Sequence, residues 1–421
     1  MIYLRLAIKS LNNRFFTVAL TVCSIALSVT LLLAVERTKR AAEDGFTQSI
    51  SQTDLLVGAR TGPLNLILYT VFNIGNASNN ISWKSYQDLK SRPEIAWTIP
   101  YSLGDGHKGF RVIGTDENFY EHYRFRGDQK IELSAGVPAL DIFDVVIGSD
   151  VQNKLNYKIG DQVIIGHGVT HGEAVQHHDD KPFKVVGILK PTGTAIDQSL
   201  YISLYGMEAI HMDWEHGAAP TKEHAIDPHT LSKEKIKIDA ITAFFLRTQS
   251  RIETLKLQRS INEYKPEALL AIIPGSTLSE LWRSLSHIEQ VLKIISIMVL
   301  LVGIASMVSS LLAGLNERRR EMAILRAIGA SPKHITLLLV FESTAITFAG
   351  IVLGVVIQLS GFFILSGWLA ENFGFYVQGT ALTKTELIYL ILILAVGILA
   401  GLIPALKATQ NTLKDGLQVK V

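Results

Sequence analysis

The chain has 421 residues, 48% hydrophobic and 19% charged, with a mean hydropathy of +0.27. Soluble domains carry about 25% charged residues, so this chain is too apolar to be purely soluble and too polar to lie wholly in a bilayer. Forty Lys and Arg against 38 Asp and Glu leave a net charge of +2, which offers no basic field and excludes nucleic acid as a partner. A single cysteine, Cys23, forbids an internal disulfide and any cysteine-based zinc cluster. It sits in an apolar run without the small residues of a lipobox before it, and reads as a packed thiol.

Residues 1–14 set Ile2, Leu4, Leu6, Ala7 and Leu11 against Arg5, Lys9 and Arg14. That is the pattern of an amphipathic helix on the cytoplasmic surface, with a disordered tail as the alternative. Residues 15–35 form an uncharged apolar run, long enough for a first membrane span, since about 20 residues rising 1.5 Å each cross the hydrocarbon core. A signal-peptide core is only about 7–15 residues long, so the run reads as an uncleaved anchor.

Residues 36–287 are polar and mixed and are expected to fold as one periplasmic domain with its own core. A helical extension is predicted over 38–51, then an apolar stretch over 54–75 that Gly58, Gly62 and Pro63 interrupt. A helix over 82–91 and strands over 96–103, 109–113 and 145–147 follow. DVVIGSDVQNKLNYKIGDQVIIG (144–166) reads strand, helix, turn, strand. Further β-branched runs predict strands over 183–189, 198–203 and 240–247, with a helix over 249–264.

Residues 288–315, 335–366 and 387–406 supply three more spans, separated by an elbow (316–334) and a short loop (367–386) and followed by a tail (407–421). Glu342 places the membrane portion of the third span at 344–365 and is itself expected at the interface or beside an arginine. Basic residues crowd the N-terminal tail, the elbow (Arg318, Arg319, Arg320, Arg326, Lys333) and the final tail (Lys407, Lys414, Lys420). The loop 367–386 has only Lys384, so both termini and the elbow are expected in the cytoplasm. Arg37, Lys39 and Arg40 break this bias, but long translocated segments are largely exempt from it. The expected fold class is a membrane protein with four transmembrane α-helices and a large α+β periplasmic domain between helices 1 and 2. Gly350/Gly354 and Gly397/Gly401 have the G-x-x-x-G spacing that lets spans approach closely, though apolar helices also carry it by chance.

The elbow reads NERRREMAILRAIGASPKHI (316–335). Met322, Leu325 and Ile328 make one apolar face, Gly329 is placed to end the helix, and Ser331-Pro332 supply an N-cap and an N1 proline for the next. A stiff, charged two-helix elbow beside a membrane is a docking surface for a soluble partner; a solvated turn is the other reading. The sequence has no G-x-x-x-x-G-K-[ST], so phosphate binding must belong to another chain.

The elbow resembles the motif E-R-x-x-E-x-x-x-L-R-x-x-G-A of the MacB/LolCE/FtsX superfamily of ABC transporter permeases, through Glu317, Arg318, Glu321, Leu325, Arg326, Gly329 and Ala330. GLIPALKATQNTLKDGL (401–417) is similar to the family ending through Gly401, Pro404, Ala405 and Ala408, and departs from it at Asn411-Thr412. Residues 145–165 and 183–203 resemble the family's porter subdomain. The resemblance implies a dimeric inner-membrane permease without enzymatic activity, with a homo- or heteromeric second permease subunit. It also implies a separate cytoplasmic ATPase, carrying ATP and Mg²⁺, that grips the elbow, Arg320 included, and moves the periplasmic domain by mechanotransmission. A periplasmic adaptor, substrate protein or outer-membrane partner fits the same picture.

Eleven of the twelve histidines lie in the outer domain. His167, His171, His177 and His178 fall within twelve residues beside Glu173, Asp179 and Asp180, and a looser set follows at His211, His216, His224 and His229. Imidazoles with carboxylates and no thiols suit Zn²⁺ or another borderline divalent metal; a solvated His-rich loop is the alternative. Three functions therefore stay open. One is an ATP-driven permease linked to zinc handling. The second is a lipoprotein or amphiphile extractor, whose hook could come only from the apolar residues 55–72. The third is an FtsX-like transmitter that controls a periplasmic enzyme.

Overall fold

The computed structural model describes residues 15–167, 178–213, 226–317, 329–373 and 382–415. In chain order the elements are α1 (Phe15–Gln48), β1 (Leu55–Ala59), α2 (Pro63–Val71), β2 (Ile81–Ser82), α3 (Trp83–Lys90), β3 (Ile95–His107), β4 (Phe110–Thr115) and α4 (Glu117–His122). Then come β5 (Arg124–Phe125), β6 (Gln129–Lys130), β7 (Leu133–Gly136), β8 (Asp144–Ile147), α5 (Ser149–Leu155), β9 (Gln162–Val163), β10 (Gly166–His167) and β11 (Phe183–Leu189). The chain closes with β12 (Ser199–Ser203), α6 (Leu204–Ala209), β13 (Ala240–Ile241), β14 (Ala243–Thr248), α7 (Thr254–Asn262), β15 (Leu269–Ile272), α8 (Pro274–Glu317), α9 (Pro332–Phe373) and α10 (Lys384–Asp415). They fall into two units: a helical one of residues 1–41, 285–368 and 377–421, and an α+β one of residues 42–284 and 369–376.

Among its described residues the helical unit contains four helices long and apolar enough to cross a membrane, as the sequence predicts. Each runs past its expected span; α8 begins at Pro274, well before residue 288. Ile25, Val29, Leu33, Met307, Ile346 and Ile393 fill the centre, while Phe16, Phe363 and Ile364 stand exposed as lipid-facing side chains do. Cys23 is exposed too, not packed as expected.

Both glycine pairs are contact points. A Cβ on Gly350 would lie 2.6 Å from Ile25 of α1, and one on Gly354 would lie 2.7 Å from the Ala26 carbonyl. Gly397 and Gly401 of α10 press in the same way on Thr347 and Ser343 of α9. Thr30 uses this closeness, donating across to the Gly354 carbonyl at 3.1 Å. Beyond the buried Pro404, Ala405 and Ala408 pack against Ile335 and Leu339.

Among the described residues, three ionisable side chains lie buried in this unit: Arg37, Glu342 and Glu386. Arg37 Nε donates to Glu386 Oε1 at 2.7 Å, with both side chains buried. Glu386 also accepts from the Thr383 N–H, and Thr383 Oγ1 accepts from the Glu386 N–H, closing a capping box at the start of α10. Glu342, expected at the interface, is 2% exposed and so belongs to the interior of the bundle.

The α+β unit is built on an eleven-stranded mixed sheet in the order β15-β1-β14-β3-β4-β12-β8-β11-β7, with β10 beside β3 and β9 beside β11. Its inner strands β1, β14, β12 and β8 are buried on both faces. Leu56, Phe245, Ile113, Val146 and Tyr201 point to one side, onto Leu66, Ile67 and Tyr69 of α2 and Phe119 of α4. The opposite side divides into two clusters. Leu55, Val57, Phe244 and Leu246 pack with α3 and α7, whereas Val112, Val145, Leu200 and Ile202 pack with Val151 of α5 and Met207 of α6. Burial on both faces replaces apolar–polar alternation with continuous apolar runs. For that reason residues 55–72 read as one ambiguous apolar stretch in the sequence, whereas in the fold they are a central strand and a covering helix. The strand expected over 240–247 is split at Thr242, whose hydroxyl accepts the Leu103 N–H at 2.9 Å.

Two measurements test these arrangements in the full chain in detergent. Gly401→Leu should lower the thermal midpoint by several degrees, because Ser343 leaves no room, while Gly361→Leu, with open space at its Cβ, should change it little. Equal shifts would contradict the close approach. At the N-cap of α4, burial pushes the Asp116 carboxyl up to about 7, against the pull of Lys90. A carboxyl raised above its unfolded value near 3.9 keeps its proton longer when folded, so it costs stability progressively as pH rises from about 4 to 7. Asp116→Asn keeps a capping oxygen, so its advantage over the parent should be larger at pH 8 than at pH 5. An advantage independent of pH would refute this.

Candidate functional site

Within the α+β unit, the ladder between β3 and β4 slips between Leu103 and Gly106, so β3 carries an extra residue there, in the sequence LGDGH. Such a bulge re-aims side chains. Asp105 falls within it and is 2% exposed. β10 pairs with the same segment, His167 opposite Asp105 and Gly166 opposite Gly106.

The chain returns at His178, whose N–H donates to the Ile165 carbonyl at 2.9 Å; a tight turn follows in which the Lys181 N–H donates to the His178 carbonyl at 3.1 Å. From the other side, α6 ends in a turn that carries His211. Its Nδ1 donates to the Met207 carbonyl at 2.8 Å, which leaves Nε2 facing Asp105 Oδ2 at 3.3 Å. The His178 and His211 rings stand edge to face, with centroids 5.3 Å apart. One donor atom from each of Asp105, His178 and His211 lies within 4.8 Å of the others. Burial pulls the His211 imidazole down, but Asp105 and the Met207 carbonyl outweigh it and hold the ring above the usual histidine range.

A buried ion pair fixes the two histidine segments. Lys181, wholly buried, donates to Asp213, and Asp180 lies 3.2 Å from the same ammonium. Asp213 also accepts the Ile226 N–H at 3.0 Å. Burial alone would raise the Asp213 carboxyl, yet the hydrogen bond from Lys181 and its charge hold it below the ordinary value.

Of the four histidines proposed from the sequence, His178 is the one whose side chain is described, and it enters this cluster. His167 lies on β10 beside it, with its ring outside the described residues, as are His171 and His177 entirely. Sequence reasoning placed His211 in a separate, looser set and missed Asp105, whose one signal is a carboxylate between two glycines at a strand end.

The elbow is described at its two ends. Glu317 is the last described residue of α8, and Arg318, Arg320, Glu321, Leu325 and Arg326 fall outside the described residues. Gly329 has the left-handed backbone (φ +98°) of a helix-ending glycine, and Ala330 follows it. Ser331 precedes α9, and its N–H donates to His334 Nδ1 at 3.0 Å, so the imidazole serves where a capping box ordinarily uses Glu or Gln.

Four apolar helices with a large mixed-sheet unit inserted after the first define a permease-type membrane protein. The model of the MacB-like periplasmic core domain matches residues 15–233, just over half of the chain, and that of the FtsX-like permease C-terminal region matches 293–413. The chain belongs to this family of ABC transporter permeases. It is 23% identical to the uncharacterized ABC transporter permease YvrN of Bacillus subtilis, over 99% of each chain. It is also similar to the periplasmic region of MacB from Actinobacillus actinomycetemcomitans, at 10% identity over 55% of this chain and 94% of that one, with a TM-score of 0.34. The extracellular domain of YknZ, a noncanonic ABC-type transporter from Gram-positive bacteria, matches at 12% identity over 52% and 99%, with a TM-score of 0.31.

Breaking the buried pair at one end should be costly. Lys181→Met strands the Asp213 carboxylate and should destabilise the protein by about 3–5 kcal/mol. Adding Asp213→Asn should recover much of that loss. A double variant no more stable than Lys181→Met, by thermal unfolding of the full chain, would show that the two side chains act independently.

Proposed function

We propose that this chain is the membrane subunit of an ATP-driven transport system in a bacterial inner membrane, working as a pair of permease subunits powered by a separate cytoplasmic ATPase. The observation that carries the reading is the order of the two family-matched regions along the chain, 15–233 and then 293–413. The helices that flank the α+β unit in sequence, α1 and α8, are also the first two candidate spans.

The distribution of Lys and Arg puts the elbow and both termini in the cytoplasm and the α+β unit outside. The elbow then offers a charged, capped surface to the ATPase. Closure of the ATPase pair on ATP pushes on α8 and α9 through it, and the push is felt by the outer unit. Work is done there by mechanotransmission, and no cargo need pass through the helices. The cargo acts at the outer unit, alone or with a periplasmic adaptor, substrate protein or outer-membrane partner.

Amphiphile extraction finds less support, because most apolar side chains of residues 55–72 are in the core: Leu55, Leu56, Leu66 and Ile67 are fully buried, and Leu64 is the large apolar side chain exposed there. An FtsX-like transmitter shares the same drive and differs only in what the outer unit touches.

The full chain, tagged and purified from its native membranes, should retain an ATPase subunit bearing Walker motifs. Reversing the elbow charges with Glu321→Arg and Arg326→Glu should reduce retention about tenfold, equivalent to about 1.4 kcal/mol, with membrane insertion unchanged. Undiminished retention in both variants would remove the elbow as the docking surface.

A further inference from the structure

We infer that Asp105, His178 and His211 form a binding site for a borderline divalent metal ion, Zn²⁺ foremost, within the α+β unit. The inference stands apart from the ATP-driven reading, since it rests on this unit alone. Its first support is geometry. Three segments distant in sequence (the β3 bulge, the turn that begins at residue 178 and the turn after α6) bring their donor atoms within 4.8 Å of one another. Ligands about 2.0–2.1 Å from a tetrahedral ion lie about 3.3 Å apart. His211 Nε2 and Asp105 Oδ2 are separated by 3.3 Å.

The second support is the orientation of His211. A metal-binding imidazole usually donates its other N–H to a carbonyl or carboxylate, which fixes the tautomer and aims the ligating nitrogen. His211 does this through Nδ1 to Met207, and Nε2 is the atom presented to the cluster.

Placement and surroundings give the third. His178 is 0% exposed and Asp105 is 2% exposed, so a carboxylate and one imidazole lie away from solvent beside the apolar cluster of Val163, Ile165 and Ile210, with the 36% exposed His211 ring completing the set toward the surface. The nearby ammonium of Lys181 is balanced by Asp180 and Asp213, and that network ties residue 181 to residue 213 close behind both histidines. Two imidazoles and one carboxylate suit Zn²⁺ and neighbouring transition metals far better than Ca²⁺ or Mg²⁺, which require oxygen ligands. Among the described residues three ligands converge, the number that an exchangeable site supplies when water or an incoming donor takes the fourth position. A bound ion would tie the bulge of β3 to the end of α6, so its arrival and departure would be felt by the sheet.

The test uses the full chain in detergent and Zn²⁺ or Co²⁺ alone. Titration calorimetry with Zn²⁺ should show one tight equivalent per chain that excess Mg²⁺ does not displace. His178→Ala and His211→Ala should each remove that equivalent, while the combined change of His167, His171 and His177 to Ala should retain it. The site would be overturned if the parent protein bound no such equivalent, if either single variant kept it, or if the triple change abolished it. A second variant covers loss of folding in the alanine series. Asp105→Cys, loaded with Co²⁺, should gain a thiolate-to-metal charge-transfer band that the parent, with Cys23 alone, lacks. A folded Asp105→Cys protein without the band would also refute the assignment.

Discussion

Hydrocarbon offers no hydrophobic drive for one apolar helix to join another, so helices in a bilayer associate only where packing or hydrogen bonding improves on lipid. The bundle meets that constraint with glycines. Gly350 and Gly354 admit α1, and Gly397 and Gly401 admit the Ser343 and Thr347 side chains of α9. Where backbones come this close, a single hydroxyl such as Thr30 can bridge two helices, a contact worth about 0.6 kcal/mol in membranes. The Arg37–Glu386 pair joins α1 to the start of α10. Because the same carboxylate takes part in the α10 capping box, orientation of that helix and neutralisation of Arg37 are one event.

The α+β unit faces the opposite problem, with ample apolar surface and a need for uniqueness. A sheet covered on both faces obtains it by dividing its core. One cluster runs along the side covered by α2 and α4, and two separate clusters lie on the other. The strands at the division, β3 and β4, carry the register slip that holds Asp105. A carboxylate at 2% exposure would be a liability there if no polar group met it. His211 meets it from the turn after α6, and the Lys181–Asp213 pair holds that turn and the turn before β11 together. The polar cluster is thus supported by contacts on both sides, as a preformed site requires.

Much of the architecture was legible in the residues. Spans follow from run length, and the two-part fold follows from 252 residues of mixed composition between the first two apolar runs (36–287). Strands 183–189 and 144–147 were read almost to the residue, because β-branched runs there are bounded by Gly, Pro and Asp. β15, α2 and α6 were not, since short apolar segments buried on all sides lose the period that would separate strand from helix.

What the sequence by itself determined is therefore what depends on neighbours along the chain. Apolar length specifies the candidate spans, Ser331-Pro332 begin α9, and glycine spacing marks the faces that can pack. The histidine-rich composition pointed to metal-ligand chemistry somewhere in the outer domain. Only the tertiary structure decided which groups meet. Asp105, His178 and His211 are separated by 73 and 33 positions, and their proximity comes from a β-bulge, a turn before β11 and a helix end that no local pattern encodes. Sequence clustering favoured histidines adjacent in the chain, whereas a ligand set is chosen by distance in space. That distance is fixed by the register of a sheet, which long-range burial sets.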